Sequence, residues 1–241
     1  MNSEQLEALE LVKKGKNIFL TGSAGTGKSY TLQNIIQWAR SQYLEFSVTA
    51  STGSAAYLIR GRTIHSYLGI GLGQKSSQEL YEYIRSKKPF IANKLRKLNI
   101  LIIDEISMID NVLFDKISEF LSLIRKNKKP FGGLQIILSG DFAQLPSITG
   151  KYCFLSDTWN NANIKVVTLK TLVRQNNDDI FKNMLEELRF GKCTKESLEI
   201  LKNLSKKEFT HDIIPTILYS LNQDVEKINE KLADRMQTNA K

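Results

Sequence analysis

Cysteine, histidine and long apolar runs are what this 241-residue sequence has least of. Its two cysteines, Cys153 and Cys193, stand far apart, with no CxxC pair and no clustered histidines. Zinc therefore has no candidate ligand set, and two reduced thiols in an intracellular protein are expected rather than a disulfide. No apolar stretch approaches the roughly 18 residues a membrane span needs, so no membrane partner is expected. The stretch MNSEQLEALE at the amino terminus is acidic and polar, which is not the composition of a secretory signal. Internal repeats are missing, as is any long linker rich in Pro, Ser or Gly, which excludes repeat arrays and flexibly tethered modules.

Positive charge is present in excess. The formal net charge is +9 and the isoelectric point is near 9.4, which favours a polyanionic partner without identifying it. A lysine-rich solvated surface is the competing explanation. Hydrophobic residues make up 41%, enough for one α/β domain with a small appendage or for two modest domains.

One arrangement recurs along the chain. A short apolar run stops abruptly at small or polar residues: NIFL before TGSAGTGKS, FSVTA before STGSAA, NILII before DEIS, QIILS before GDFAQLP, and IKVVTL before KTLVRQ. Apolar runs of four to six with little alternation are the pattern of strands covered on both faces. Amphipathic stripes follow two of them, Leu32, Ile35, Ile36 and Ala39, then Val112, Leu113, Ile117, Phe120, Leu121 and Ile124; these are ordinary core packing. Strands alternating with helices predict an α/β fold with a mostly parallel sheet flanked by helices. In such a sheet ligands bind beyond the carboxyl ends of the strands, where all five polar clusters would gather.

The clusters carry chemistry. Gly22, Ser23, Ala24, Gly25, Thr26, Gly27, Lys28 and Ser29 fit the pattern G-x-x-x-x-G-K-[ST] between a strand and a helix. In that pattern backbone amides wrap a triphosphate, the lysine reaches its β and γ phosphates, and the serine hydroxyl binds magnesium. ATP and Mg2+ are the expected cofactors. Asp104, directly after a strand, is placed to hold the magnesium with Ser29, and Glu105 beside it to deprotonate the attacking water; capping of the next helix is the alternative for this acidic pair. Four residues separate Gln144 from the end of another strand, where it could sense the γ-phosphate. Arg174, past the fifth strand, is the candidate for an arginine finger acting within the chain. The hydroxyl-rich TASTGSAA and TIHSYLGI suit a phosphodiester backbone. His65 could contact a nucleic-acid strand or satisfy a buried polar neighbour. The basic clusters NKLRK at 93–97 and RKNKK at 125–129 read as solvated faces.

Taken together these motifs resemble a known family. The phosphate loop, VTASTGSAAYLIRGRTIHSYLGIG, LIIDEISMID, PFGGLQIILSGDFAQLP and LVRQ occur in the same order in helicases of the petite integration frequency (Pif) family, the RecD-like branch of superfamily one. The likeness runs from Gln5 to about residue 235. It implies a RecA-like P-loop NTPase fold and an ATP-dependent DNA helicase moving five-prime to three-prime, with roles in DNA repair, recombination and telomere maintenance. By resemblance Gln5 contacts adenine; Lys28, Ser29, Asp104, Glu105, Gln144 and Arg174 line the nucleotide site; and Thr52, Ser54, His65 and Ser66 contact single-stranded DNA. The implied partners are single-stranded DNA and fork or duplex junctions, bound by a monomer.

The expected organisation is a RecA-like ATP-binding lobe over 1–176, a small helical wedge subdomain over 177–212, and the opening of a second RecA-like lobe over 213–241. In the wedge a helix starts near Asp178 or Asp179, carries Ile180, Met184, Leu185 and Leu188, and stops at Gly191; PTILYS is expected as the new strand of the second lobe. The later motifs of the family, including a second arginine, are not in this sequence, and Pro146 is followed by serine where many relatives have a second proline. Translocation needs two lobes that close and open, so this portion of a motor is expected to bind ATP weakly, to hydrolyse it slowly and not to unwind duplexes. Two other classes compete: a non-motor, ATP-gated nucleic-acid binding module, and a P-loop kinase acting on a small metabolite.

Overall fold

The computed structural model describes residues 1–71, 73–171, 179–206 and 216–238. Six strands, β1 (Ile18–Gly22), β2 (Phe46–Ala50), β3 (Arg62–Thr63), β4 (Ile100–Asp104), β5 (Gln135–Ser139) and β6 (Lys165–Leu169), form one sheet in the order β3-β2-β4-β5-β1-β6. Every pairing is parallel, for example Ile18 opposite both Ile137 and Lys165, and Ala50 opposite both Asp104 and Thr63. The five expected strands are present, each within two residues of its expected bounds. β3 is additional; it is a two-residue edge strand inside a stretch with the composition of a loop.

The helices in chain order are α1 (Ser3–Lys13), α2 (Lys28–Ser41), α3 (Gly53–Leu58), α4 (Ile64–Leu68), α5 (Ser77–Lys87), α6 (Pro89–Lys97), α7 (Asn111–Arg125), α8 (Asp157–Asn161), α9 (Asp179–Arg189), α10 (Lys195–Ser205) and α11 (Asn222–Thr238). The lack of alternation in β4 now has its cause. Ile100 and Ile102 join an apolar cluster with Ala8 and Val12 of α1 and Leu32 and Ile35 of α2. Leu101 and Ile103 join the opposite cluster with Leu80 of α5, Leu95 of α6, and Phe114 and Phe120 of α7. Each such side chain, once fully buried, contributes about 1.5–3 kcal/mol, so a strand sandwiched this way must be apolar at every position.

α7 shows how local chemistry aligns the sheet. Asp110 caps it, its carboxylate accepting the Leu113 N–H at 2.7 Å, and the helix stops where Lys126 turns left-handed. The PFGG turn then folds back under the helix. A side chain on Gly132 would meet the Leu121 carbonyl oxygen at 2.7 Å, so only glycine lets the turn pack so close. Arg125 secures the junction by donating to the carbonyls of Leu95, Arg96, Leu98 and Gly132. It is not the solvated residue expected of RKNKK; its guanidinium closes the end of α6 onto the entry to β5.

The chain divides into two compact units, Met1–Cys193 and Thr194–Lys241. α9 belongs to the first. It starts and stops near the expected positions, with Gly191 at φ +68°, but of its expected stripe only Met184 is fully buried, while Ile180 and Leu188 are exposed. In the second unit Thr194 caps α10 through the Ser197 N–H. Residues 216–220, expected to continue a strand, form none, and Ile217 and Leu218 are exposed. An extended segment needs a neighbour for its backbone groups, and among the described residues of this unit there is no strand to pair with it.

Candidate nucleotide site

β1 runs out at Gly22, where the chain takes φ +149° and an added Cβ would lie 2.5 Å from the Leu169 carbonyl oxygen. The Thr26 hydroxyl ties the loop across itself by donating to the Ser23 carbonyl at 2.9 Å. Gly27, at φ +91°, opens α2 with no side-chain capping bond. The amides of the first helical turn are thus left to an anion, at the positive end of a fourteen-residue helix. Lys28 folds over the same loop, its Nζ donating to the Gly22 and Ser23 carbonyls at 2.7 and 3.1 Å. α1 flanks the loop: buried Gln5 shares a reciprocal capping box with Asn2, and its Nε2 lies 2.7 Å from where a Gly27 Cβ would stand.

The acids approach from two strands away. Asp104 ends β4 and is buried; Glu105 follows in a left-handed conformation, φ +52° and ψ +45°, which is costly for a residue with a side chain. Glu105 makes no capping bond to the short turn after it, and Asp110, not the acidic pair, caps α7. Burial draws the Lys28 ammonium below its usual pKa, against the opposing pull of Asp141, Glu105 and Asp104. Burial likewise raises the Glu105 carboxyl, reinforced by Asp104 and Asp141 and opposed by Lys28. Ser29, Asp104 and Glu105 line one cavity of about 580 Å³. A hydroxyl and a carboxylate facing one space fit magnesium, which takes oxygen ligands, needs few from the protein and keeps its waters.

β5 lies between β1 and β4, so the residues after it fall between the phosphate loop and the acids. Gln144 is exposed there and lines both a cavity of about 180 Å³ with Ser23 and a groove of about 690 Å³ with Glu105. Sequence reasoning stopped at this glutamine and missed Asp141, three residues earlier. Asp141 is buried and pairs bidentately with Arg189 of α9, at 2.8 Å from Nε and 2.9 Å from Nη2. Burial works to raise its carboxyl, but the Arg189 guanidinium, the Ala143 N–H and Lys28 together hold it below the ordinary carboxylate range. A Gly-Asp step directly after a buried strand was the available signal. Arg189 and Glu186 offered none, since they sit on a helix legible only by its apolar spacing.

The candidate strand-contacting residues leave the same edge. Thr52 and Ser54 line the 690 Å³ groove together with Glu105 and Gln144, and the Thr52 Oγ1 accepts the Ala55 N–H at the start of α3. Thr63, paired with Ala50 across β2 and β3, caps α4, which carries exposed Ser66 and half-buried His65. Burial holds the His65 imidazole toward its neutral form. Arg174 lies outside the described residues.

A parallel sheet whose glycine-rich loop joins β1 to α2, with an acid-bearing strand one strand removed, is a P-loop NTPase fold of the RecA-like kind. The family described as PIF1-like helicase matches residues 1–199, and the chain belongs to that family. It is 41% identical over 231 residues to "ATP-dependent DNA helicase RRM3" of Saccharomyces cerevisiae, covering 92% of this chain and 32% of that protein. Among solved structures it is similar to a Pif1 helicase from Candida albicans, with TM-score 0.91, 37% identity, and coverage of 98% of this chain and 55% of that one. A Bacteroides Pif1 helicase in complex with ADP-AlF3 and ssDNA matches with TM-score 0.82 and 29% identity over 95% of this chain and 56% of that one. The chain thus spans about a third of the length of the curated relative and about half of the solved chains.

Proposed function

We propose that this chain is the first motor lobe, with wedge residues attached, of an ATP-dependent DNA helicase acting on intracellular DNA. Residues 1–176 form the nucleotide lobe, 177–212 the subdomain that helps part the strands, and 213–241 the opening of a second lobe. The observation that carries this reading is the placement at one sheet edge of Lys28 in the loop and helix after β1, Asp104 and Glu105 at the end of β4, and Asp141 after the intervening β5, three separate segments of the chain. The naming of its relatives as ATP-dependent DNA helicases supports the same reading.

In this mechanism Lys28 leaves the Gly22 and Ser23 carbonyls to hold the β and γ phosphates, and the α2 amides complete the cradle. Gln5 borders the loop where adenine would lie. Ser29 and Asp104 would hold magnesium, whose chemistry there would be neutralisation of phosphate charge. Glu105 takes the proton of the attacking water, and Gln144 hydrogen-bonds the γ-phosphate or that water. Arg174 stabilises the transferred phosphoryl group. Thr52, Ser54, His65 and Ser66 contact the sugar-phosphate backbone of a single strand. The groove shared by Thr52, Ser54, Glu105 and Gln144 supports a direct path from strand binding to hydrolysis. Movement is five-prime to three-prime, by a monomer, and requires the rest of the second lobe.

Replacing Lys28 with alanine tests this. Affinity for a fluorescent ATP analogue is expected to fall by about 10–100-fold, the size of one or two charge-assisted bonds to phosphate. Unchanged affinity removes the phosphate-loop assignment. Strand displacement coupled to hydrolysis, in a protein carrying both lobes, separates a motor from an ATP-gated binding module.

A further inference from the structure

Helix α9 carries two charged side chains that lie outside both the phosphate loop and the acids after β4, yet they join the two flanks of the site. Arg189 grips both oxygens of Asp141, and its remaining Nη1 donates to Glu186 Oε1 at 3.0 Å. Glu186 Oε2 accepts the Ser23 hydroxyl at 2.8 Å, and Asp141 also accepts the Ala143 N–H at 3.1 Å. The polar chain is unbroken from the loop that carries Gln144, through one turn of α9, to the first half of the phosphate loop. A cavity of about 180 Å³ is bordered by Ser23, Ala143 and Gln144 from the two loops and by Glu186 and Arg189 from α9. The pair is well shielded, with the Asp141 side chain 2% exposed and that of Arg189 21%, so removing the guanidinium takes from a buried carboxylate its only ion-pair partner among the described residues.

We propose that Arg189 is a positioning residue through which α9 links the nucleotide loop to the Gln144 loop, so that filling the nucleotide site is felt in α9. The proposal rests on the nucleotide reading above. Its physical path is short. Ser23 supplies both the carbonyl that Lys28 holds and the hydroxyl that Glu186 holds. A phosphate that draws Lys28 away therefore changes the residue at the end of the bridge. Linkage requires the converse, that a shift of α9 changes nucleotide affinity by the same factor.

Amide hydrogen exchange on the full chain tests the bridge first without nucleotide. In Arg189→Ala, exchange is expected to quicken about tenfold at Ala143 and Gln144 and at residues 23–26, with Ile102 in β4 unchanged. Arg189→Lys, which keeps a cation near Asp141, is expected to restore part of that protection. An unchanged rate at either loop, equal acceleration in β4, or no rescue by lysine overturns the proposal. A second arm adds ATP with magnesium. Wild-type protein is expected to respond at 22–29 and at 182–189, whereas in Glu186→Ala the response stops at 22–29. A wild-type response confined to 22–29, or one that still reaches α9 in Glu186→Ala, overturns the link. No wild-type response at 22–29 instead overturns the nucleotide reading, and the bridge is then decided by the first arm.

Discussion

Glu105 holds a position that local energetics disfavour. Its backbone is left-handed, and its carboxyl is half-buried beside Asp104 and within reach of Asp141. Burial and two acids raise its pKa, so between the ordinary and the raised value the folded chain binds a proton that the unfolded chain does not. Its contribution to stability is therefore fully present below the ordinary carboxylate range and is lost as pH rises through the raised value. In nucleotide-free protein Glu105→Gln is expected to melt above wild type at neutral pH, with the gap closing in acid, by calorimetry at several pH values. A lower Tm at neutral pH would show that the carboxylate is a stabilising partner and not a strained one. The same change removes the group assigned to deprotonate water, and turnover of ATP is expected to drop by about 10²–10⁴. A residue that costs stability while serving chemistry is what a strained active-site acid would be.

Among elements, α7 and the turn behind it separate structural from functional signal. PFGGLQ opens one of the stretches that carry the family resemblance, yet the PFGG turn at its head is explained by packing: Gly132 fits under α7, and Arg125 locks four carbonyls from two segments. Arg125→Ala strands those carbonyls and is expected to cost about 1.5–3 kcal/mol, lowering Tm by roughly 3–12 °C, without altering ATP affinity once folded. Altered affinity in the folded variant would mean that the turn also shapes the site. Strands such as β4 were legible because burial on both faces forces an apolar run, and the phosphate loop because its whole pattern is local. Three features were not. β3 is too short to carry a pattern. Residues 216–220 have a strand's composition but no strand beside them among the described residues of their unit. Asp141 and Arg189 lie 48 positions apart, joined only by tertiary structure, so neither announces the other.

For the molecule as a whole, the excess of positive charge gains meaning from where the hydroxyl-bearing turns sit. α3 leaves the carboxyl edge of the sheet beside Glu105 and Gln144, and α4 follows β3, whose Thr63 pairs with Ala50 at the end of β2. If these turns bind a strand through its phosphates, affinity for single-stranded DNA should fall linearly with log salt at about −0.7 per contact. A slope steeper than about −2, measured by fluorescence anisotropy between about 50 and 200 mM salt, is expected, and a flat response would remove the backbone-contact role.

The strand order has a further consequence for the size of what the site can accept. Neighbouring strands stand about 4.8 Å apart, so interposing β5 holds the end of β1 roughly 10 Å from the end of β4. Side by side, those two strands would let Lys28 and Asp104 neutralise each other as a plain ion pair. Spread by one extra strand width, Lys28 and Asp104 form no ion pair with each other among the described residues, which suits the proposed seating of a phosphate and a hydrated divalent ion between them.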